Sequence, residues 1–257
     1  DALNCGIGEF IIGIGGSATN DGGSGIAKAL GDRLLDQEGA ELEDGGLALG
    51  RLDQIEASTV HWLLSKAKFR VACDVKNPLY GASGTSLNYS RQKGATDDQI
   101  RSLESAMTHF GEFIDRYTGE SVSARAGAGA AGGIGAGLMA LTSATLEPGF
   151  PLIAEACGLE EQIRDCDVVF TGEGKLDDQT KMGKVPDGVL QIAKRYGKPV
   201  VAFCGCVDES FAVDGEGSFT EVIALDALAR DRMDSLEHAE LYLVKAAELC
   251  GRRLRDV

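Results

Sequence analysis

Proline is scarce in this 257-residue sequence, with 5 residues, and histidine is scarcer, with 3. The histidines stand far apart, at His61, His109 and His238, so no His-rich zinc site is readable. No apolar run reaches the length of about 18 residues that a membrane-spanning helix needs. Basic residues are in deficit: Lys and Arg number 25 against 40 Asp and Glu, a net charge of −15. That field repels nucleic acid and anionic membrane surfaces, and neither is expected as a partner. The opening DALNCGIGEF has no charged leader and no apolar segment behind one. It is therefore not read as a signal peptide, and a cytoplasmic location is expected. Two further signatures are missing. Without G-x-x-x-x-G-K-[ST], any nucleotide is bound outside a P-loop; without G-x-S-x-G there is no nucleophile elbow.

Glycine, by contrast, is plentiful at 35 residues, roughly double the usual ~7%. With so little proline this is neither collagen nor linker. It marks backbone that approaches something closely or takes positive φ. Hydrophobic residues at 44% can fill a core, and at roughly 150 residues per domain the length suits one large domain or two small ones. The 7 cysteines are odd in number and scattered. They are read as reduced, buried small hydrophobes rather than a disulfide framework, and the lone C-x-C of Cys204 and Cys206 is not read as a metal or redox site.

Hydrophobic patterning predicts a buried strand at Phe10–Ile14, a helix from Ile26 to about Leu35, and loops with short edge strands over 36–58. A second strand is predicted at Phe69–Val75. The clearest helix opens at Thr96 as N-cap, with Asp97 and Asp98 suiting its positive end and a core-facing stripe of Ile100, Leu103, Met107, Phe110 and Ile114. Residues 124–141 read as a loop leading into a tightly packed small-residue helix. Beyond about residue 160 the rhythm becomes strand (Asp167–Thr171), helix (Pro186–Arg195), strand (Pro199–Cys204), a further strand candidate (Phe219–Leu225) and a closing helix from Leu236 to about Leu254. This predicts the α/β class, with parallel sheet covered by helices. So few strands in the second half suggest that part of that domain lies upstream of Asp1.

Three segments can carry chemistry. Gly13-Ile14-Gly15-Gly16-Ser17-Ala18 fits G-x-G-x-x-A after a strand, with Asp36 and Glu38 about 20 residues on, a passable dinucleotide fingerprint. The polar Thr19-Asn20-Asp21-Gly22 that follows stands where an apolar helix should begin. Ser17, Thr19 and Asn20 can hydrogen-bond a small oxygen-rich ligand, Asp21 can act as base or metal ligand, and the backbone N–H groups from Gly15 to Gly22 can cradle an anion. A tight turn with capping polar residues is the plainer reading. Gly127–Gly132 fits G-x-G-x-x-G in full, but no buried strand precedes it. Close helix packing and a backbone phosphate contact both stay open there. Gly172–Thr180 reads as a loop at the carboxyl end of a strand, where ligands of open α/β sheets bind. Lys175 and Lys184 offer cations for phosphate, and Glu173 and Asp177 offer carboxylates for Mg²⁺ or proton transfer. A solvated charged turn is the alternative.

In this order, GIGGSATNDGG (13–23), ACDVKNPLYGASG (72–84), QKGA (92–95), GAGAAGGIGAG (127–137), TGEGKLDDQT (171–180) and GKVP (183–186) resemble the bacterial class I glycerate kinases. Where that family usually has F-G-P before QKGA, this chain has Tyr89-Ser90-Arg91. The resemblance implies two α/β domains. Residues 1–160 would be most of an inserted mixed-sheet domain, and 161–257 the C-terminal part of a Rossmann-like domain whose N-terminal segment is missing and would act as a partner. It also implies ATP-dependent phosphorylation of D-glycerate to 2-phosphoglycerate, or 3-phosphoglycerate, with Mg²⁺. The chain alone is expected to be inactive, and a homodimer is one candidate arrangement.

On that resemblance Asp177 is the first choice for base or Mg²⁺-linked carboxylate and Asp21 the second, with Glu173 a further metal ligand. Gly15, Gly16, Ser17, Thr19, Asn20 and Gly22 would hold glycerate or phosphate, joined by Gln179, while Lys175 and Lys184 would neutralise phosphate charge. Two competing readings remain: an NAD(P)-dependent oxidoreductase using Gly13–Ala18, and a non-catalytic regulatory or interaction fragment of the kinase fold.

Overall fold

The computed structural model describes residues 1–142, 144–178, 180, 184–208, 211 and 218–255. They fall into two compact units, Asp1–Leu152 and the residues from Ile153 onward.

The first unit runs β1 (Glu9–Gly13), α1 (Ser24–Leu30), β2 (Arg33–Leu35), β3 (Gln54–Glu56), β4 (Lys68–Ala72), α2 (Thr85–Tyr89), α3 (Asp97–Thr118), α4 (Ala130–Leu141), β5 (Ala144–Glu147) and α5 (Gly149–Ala156), along which the division falls. Strands β1, β4 and β5 pair in that order, all parallel, while β2 and β3 form a separate antiparallel pair. Parallel neighbours need long crossovers, and here α1 with the β2–β3 pair, then α2 to α4, supply them. Phe10 pairs with Phe69 and their rings stack 4.9 Å apart. Gly13 pairs with Ala72, so the loops leaving β1 and β4 start side by side at the carboxyl edge of the sheet.

Helix α3 organises the core. Thr96 and Gln99 form a reciprocal capping box: Gln99 N donates to Thr96 Oγ1 at 3.3 Å, and Thr96 N to Gln99 Oε1 at 2.9 Å. Ile100, Met107, Phe110 and Ile114 are buried, the last three against Leu49, Leu52 and Leu79, while Leu103 is half-buried. His109 uses its Nε2 on Leu52 O at 2.7 Å, a structural role.

Two expectations change in this unit. Helix α1 ends at Leu30, not near Leu35, because Gly31 takes φ 106° and turns the chain. Leu34 and Leu35 fit the helical spacing but are buried strand residues opposite Ile55 and Gln54. The glycine-rich segment holds a helix, but its first turn is left-handed at Ala131, Gly132 and Gly133 (φ 55°, 72° and 92°). A Cβ on Gly132 would stand 2.0 Å from Thr19 O. This backbone-on-backbone approach accounts for Gly132, Gly133 and Gly137 as close packing against the Thr19–Gly23 loop.

The second unit continues with α6 (Leu159–Asp165), β6 (Val169–Leu176), α7 (Val185–Arg195), β7 (Val200–Val207), β8 (Glu221–Ala224), α8 (Arg232–Glu237) and α9 (Ala239–Arg255). Its sheet has the order β6-β7-β8, again parallel throughout, as the βαβ rhythm implied. Strand β6 does not end at Gly172: it stays paired with β7 as far as Leu176 opposite Val207, so Gly172–Lys175 is strand rather than loop. The closing helix is two helices that break at His238.

The cysteines are all free, but only Cys204 and Cys250 are buried; Cys5 and Cys157 are exposed, and Cys73, Cys166 and Cys206 lie between. Among the described residues no helix is long and apolar enough to cross a membrane.

Candidate active site

In the first unit the loops leaving β1 and β4 enclose a cavity of about 380 Å³. Its walls include Gly13, Gly15, Gly16 and Ser17 from the first loop, Cys73 and Asp74 from the second, and Gln92, Lys93, Ala130 and Ala131. Nothing lies within 4 Å of where a Cβ on Gly15 or Gly16 would be, so these two residues present bare backbone to open space. Among the described residues Ala131, with its left-handed φ of 55°, is the one such non-glycine residue. Strain of this kind costs roughly 1–2 kcal/mol and persists where the surroundings over-determine it.

Lys93 is the cation of this site, and sequence reasoning passed it over within QKGA. Its Nζ donates to Ser17 Oγ at 2.9 Å and to Thr19 O at 2.5 Å. Burial lowers its pKa, with the charge of Asp21 acting in the opposite direction. Lys93 also borders a second cavity of about 520 Å³, lined by Ala18, Asn20, Gly45, Ser90 and Gln99 among others.

The remaining loop residues divide by role. Asn20 Nδ2 donates to Ser90 Oγ at 2.8 Å and Ser86 Oγ at 3.3 Å, while its Oδ1 is buried with no partner. Asp21 turns to its own helix: its carboxylate accepts from Gly23 N at 3.1 Å and Gly25 N at 3.4 Å. Gly22 is buried, and a Cβ there would meet the Phe110 ring at 2.6 Å. Asp74, likewise unmarked by sequence reasoning, accepts from Gly149 N at 2.8 Å through Oδ1.

In the second unit Glu173 of β6 meets Asp177, Thr180 and Lys184, which follow the strand. Lys184 Nζ is 3.8 Å from both Glu173 Oε1 and Asp177 Oδ1. The buried Thr180 hydroxyl donates to Glu173 Oε1 at 2.8 Å and accepts from Asp177 N at 3.1 Å. Lys175 pairs with Asp208, which raises its pKa by hydrogen bond and charge, with a smaller contribution from Asp177. Gln179 lies outside the described residues. Among the described residues no group of three or more His, Cys, Asp or Glu could hold a metal ion.

The sequence profile of the glycerate kinase family matches residues 1–255. A glycerate kinase of Halalkalibacterium halodurans is 42% identical over 247 residues, covering 96% of this chain and 65% of its own length. The glycerate 2-kinase of Escherichia coli is 45% identical over 212 residues, 82% of this chain and 56% of its own. A solved structure from Salmonella typhimurium LT2, assigned as glycerate kinase 2, superposes with a TM-score of 0.78 at 40% identity, covering 98% of this chain and 67% of that one. The chain thus spans less than two thirds of these two curated relatives. A profile matched almost end to end, on a fold shared at this level of identity, makes the chain a member of the glycerate kinase family.

Proposed function

We propose that this chain serves the transfer of the γ-phosphoryl group of ATP to D-glycerate, with 2-phosphoglycerate as product. The observation that carries the reading is the first-unit cavity: glycine backbone and a half-buried lysine at the carboxyl edge of a parallel sheet, in a volume near the lower end of the roughly 300–1,000 Å³ of ligand pockets. This suits a small anion. Phosphoryl transfer needs little covalent chemistry from the protein and much positioning. Gly15, Gly16, Ser17 and Thr19 supply backbone and hydroxyl groups to the acid. Asn20 and Asp21 set the shape of the loop, and the Asp21 charge opposes the lowering of the Lys93 pKa by burial.

The second-unit cluster is assigned to phosphate and metal. A hard Mg²⁺ is commonly held by one or two carboxylates together with substrate phosphates. Glu173 and Asp177, drawn to one ammonium, present that number and would hold it. Bound there, the ion would neutralise phosphate charge. Lys184 contributes a cation to the same task, and Thr180 fixes both carboxyl-bearing segments.

The dinucleotide reading is disfavoured by the start of α1 at Ser24. In that fingerprint the helix N-terminus receives the pyrophosphate directly after the glycines, whereas here a polar loop intervenes and Asp21 occupies the helix start. The test is ADP release dependent on D-glycerate by the protein that carries this chain, with ³¹P NMR identifying the phosphorylated hydroxyl. Release with glycerol as readily as with D-glycerate, or no release with either, would count against the reading.

A further inference from the structure

Lys93 has three N–H donors and spends two on Ser17 Oγ and Thr19 O. The third remains for a ligand in the cavity that Lys93 lines with Gly15 and Gly16. Asp74 lines the same cavity. One of its oxygens accepts from Gly149 N, and its second oxygen can accept from a hydroxyl. A small acid placed here meets both a cation and an anion in the lining. Its carboxylate is attracted to Lys93 and repelled by Asp74, and its hydroxyl-bearing end is welcome at Asp74. Neither residue belongs to the glycine loop, and Asp74 is held against the first turn of α5 independently of that loop.

We infer that Lys93 and Asp74 form the recognition pair for a short hydroxy acid, Lys93 binding its carboxylate and Asp74 its distal hydroxyl, so that the pair sets both the charge and the orientation of the acceptor substrate. This rests on the reading of the cavity as the acceptor site, and it adds a specificity rule. Monocarboxylic hydroxy acids enter; neutral polyols lack the anchor; a second carboxylate at the far end is turned away by Asp74.

The rule is tested by calorimetric binding of D-glycerate, D-glyceramide (the same molecule with a neutral amide) and tartronate (a second carboxylate in place of the CH₂OH). The unmodified protein should bind D-glycerate at least ~10-fold more tightly than either analogue. Lys93→Met should lose that preference over D-glyceramide, and Lys93→Arg should keep part of it. Asp74→Asn should admit tartronate while still preferring D-glycerate to D-glyceramide. Because the analogue comparison uses the unmodified protein, a misfolded variant does not remove the test. Equal binding of D-glycerate and D-glyceramide by the unmodified protein overturns the inference and leaves the glycerate reading standing. Failure to bind D-glycerate, with Lys93-dependent binding of another monocarboxylic hydroxy acid, overturns the glycerate reading and leaves the inference standing. Tartronate bound as tightly as D-glycerate by the unmodified protein overturns the role of Asp74.

Discussion

Lys93 Nζ donates to Ser17 Oγ at 2.9 Å across 76 positions of sequence. One hydrogen bond thus ties the turn before α3 to the glycine loop after β1. With the second bond to Thr19 O, the lysine holds that loop open where glycine alone would leave it mobile, because glycine restricts neither φ nor packing.

Two glycines should respond oppositely to the same change. Gly15→Ala adds a Cβ into open space and should shift stability by no more than ~0.5 kcal/mol, yet weaken D-glycerate binding by narrowing the cavity. Gly132→Ala drives a Cβ to 2.0 Å from Thr19 O at a left-handed φ and should cost more than ~2 kcal/mol. Urea unfolding and calorimetric titration of both variants separate the effects. Similar stabilities would show that the glycine-rich segment is not a packing device.

Asn20→Ala should raise the KM for D-glycerate and leave the KM for ATP unchanged, since Asn20 fixes the substrate loop to Ser90 and Ser86. NAD(P) binding abolished by Gly15→Val would instead favour a dinucleotide at this loop.

Asp177→Asn keeps size and removes charge. It should lower kcat by at least ~10²-fold with folding intact, whereas Asp178→Asn should be tolerated. Partial rescue by added Mg²⁺ assigns Asp177 to the metal, and no rescue assigns it to proton transfer. Normal kcat in Asp177→Asn would place the chemistry on another carboxylate.

Asp234 accepts from the Arg230 side chain at 3.0 Å, from Tyr242 OH at 2.6 Å and from Arg230 N at 3.1 Å. The Arg230 side-chain hydrogen bond, followed by those of Tyr242 and the Arg230 backbone, holds its carboxyl well below the ordinary carboxylate range. A depressed folded pKa contributes stability that is complete above the unfolded value, about 4, and fades as pH falls below it toward the folded value. Thermal unfolding should therefore show the second unit losing stability as pH drops below about 4. Asp234→Asn should be less stable at neutral pH and flatter in this acid range. An unchanged acid limb in the variant would rule the carboxylate out.

Thr96→Ala removes the hydroxyl half of the α3 capping box and should cost ~1 kcal/mol, while Thr96→Ser should cost little. Equal losses in urea unfolding would argue for packing of the methyl group instead.

Local rules were enough for the elements whose stabilisation is local. The α3 cap and stripe, β1, β4 and the parallel strands of the second unit follow from hydrophobic period and capping chemistry, which neighbouring residues determine. The glycine motifs were likewise legible as places of close approach, and Ser17, Gly15 and Gly16 indeed border one cavity. The pattern could not say what each glycine approaches. Gly22 and Gly132 serve packing against Phe110 and Thr19, whereas Gly15 and Gly16 face open space, and only the fold distinguishes these. Leu34 and Leu35 carried a helical period, but strand pairing with β3 offered their backbone hydrogen bonds as well as burial. Lys93 lies within QKGA and Asp74 inside the strand expected at Phe69–Val75, and nothing in the local pattern singled out either as a site residue. They line one cavity because parallel β1–β4 pairing starts the glycine loop and the Asp74 loop at the same sheet edge, and Lys93, from the turn before α3, reaches Ser17 and Thr19 of the glycine loop, a long-range relation that no window of sequence contains.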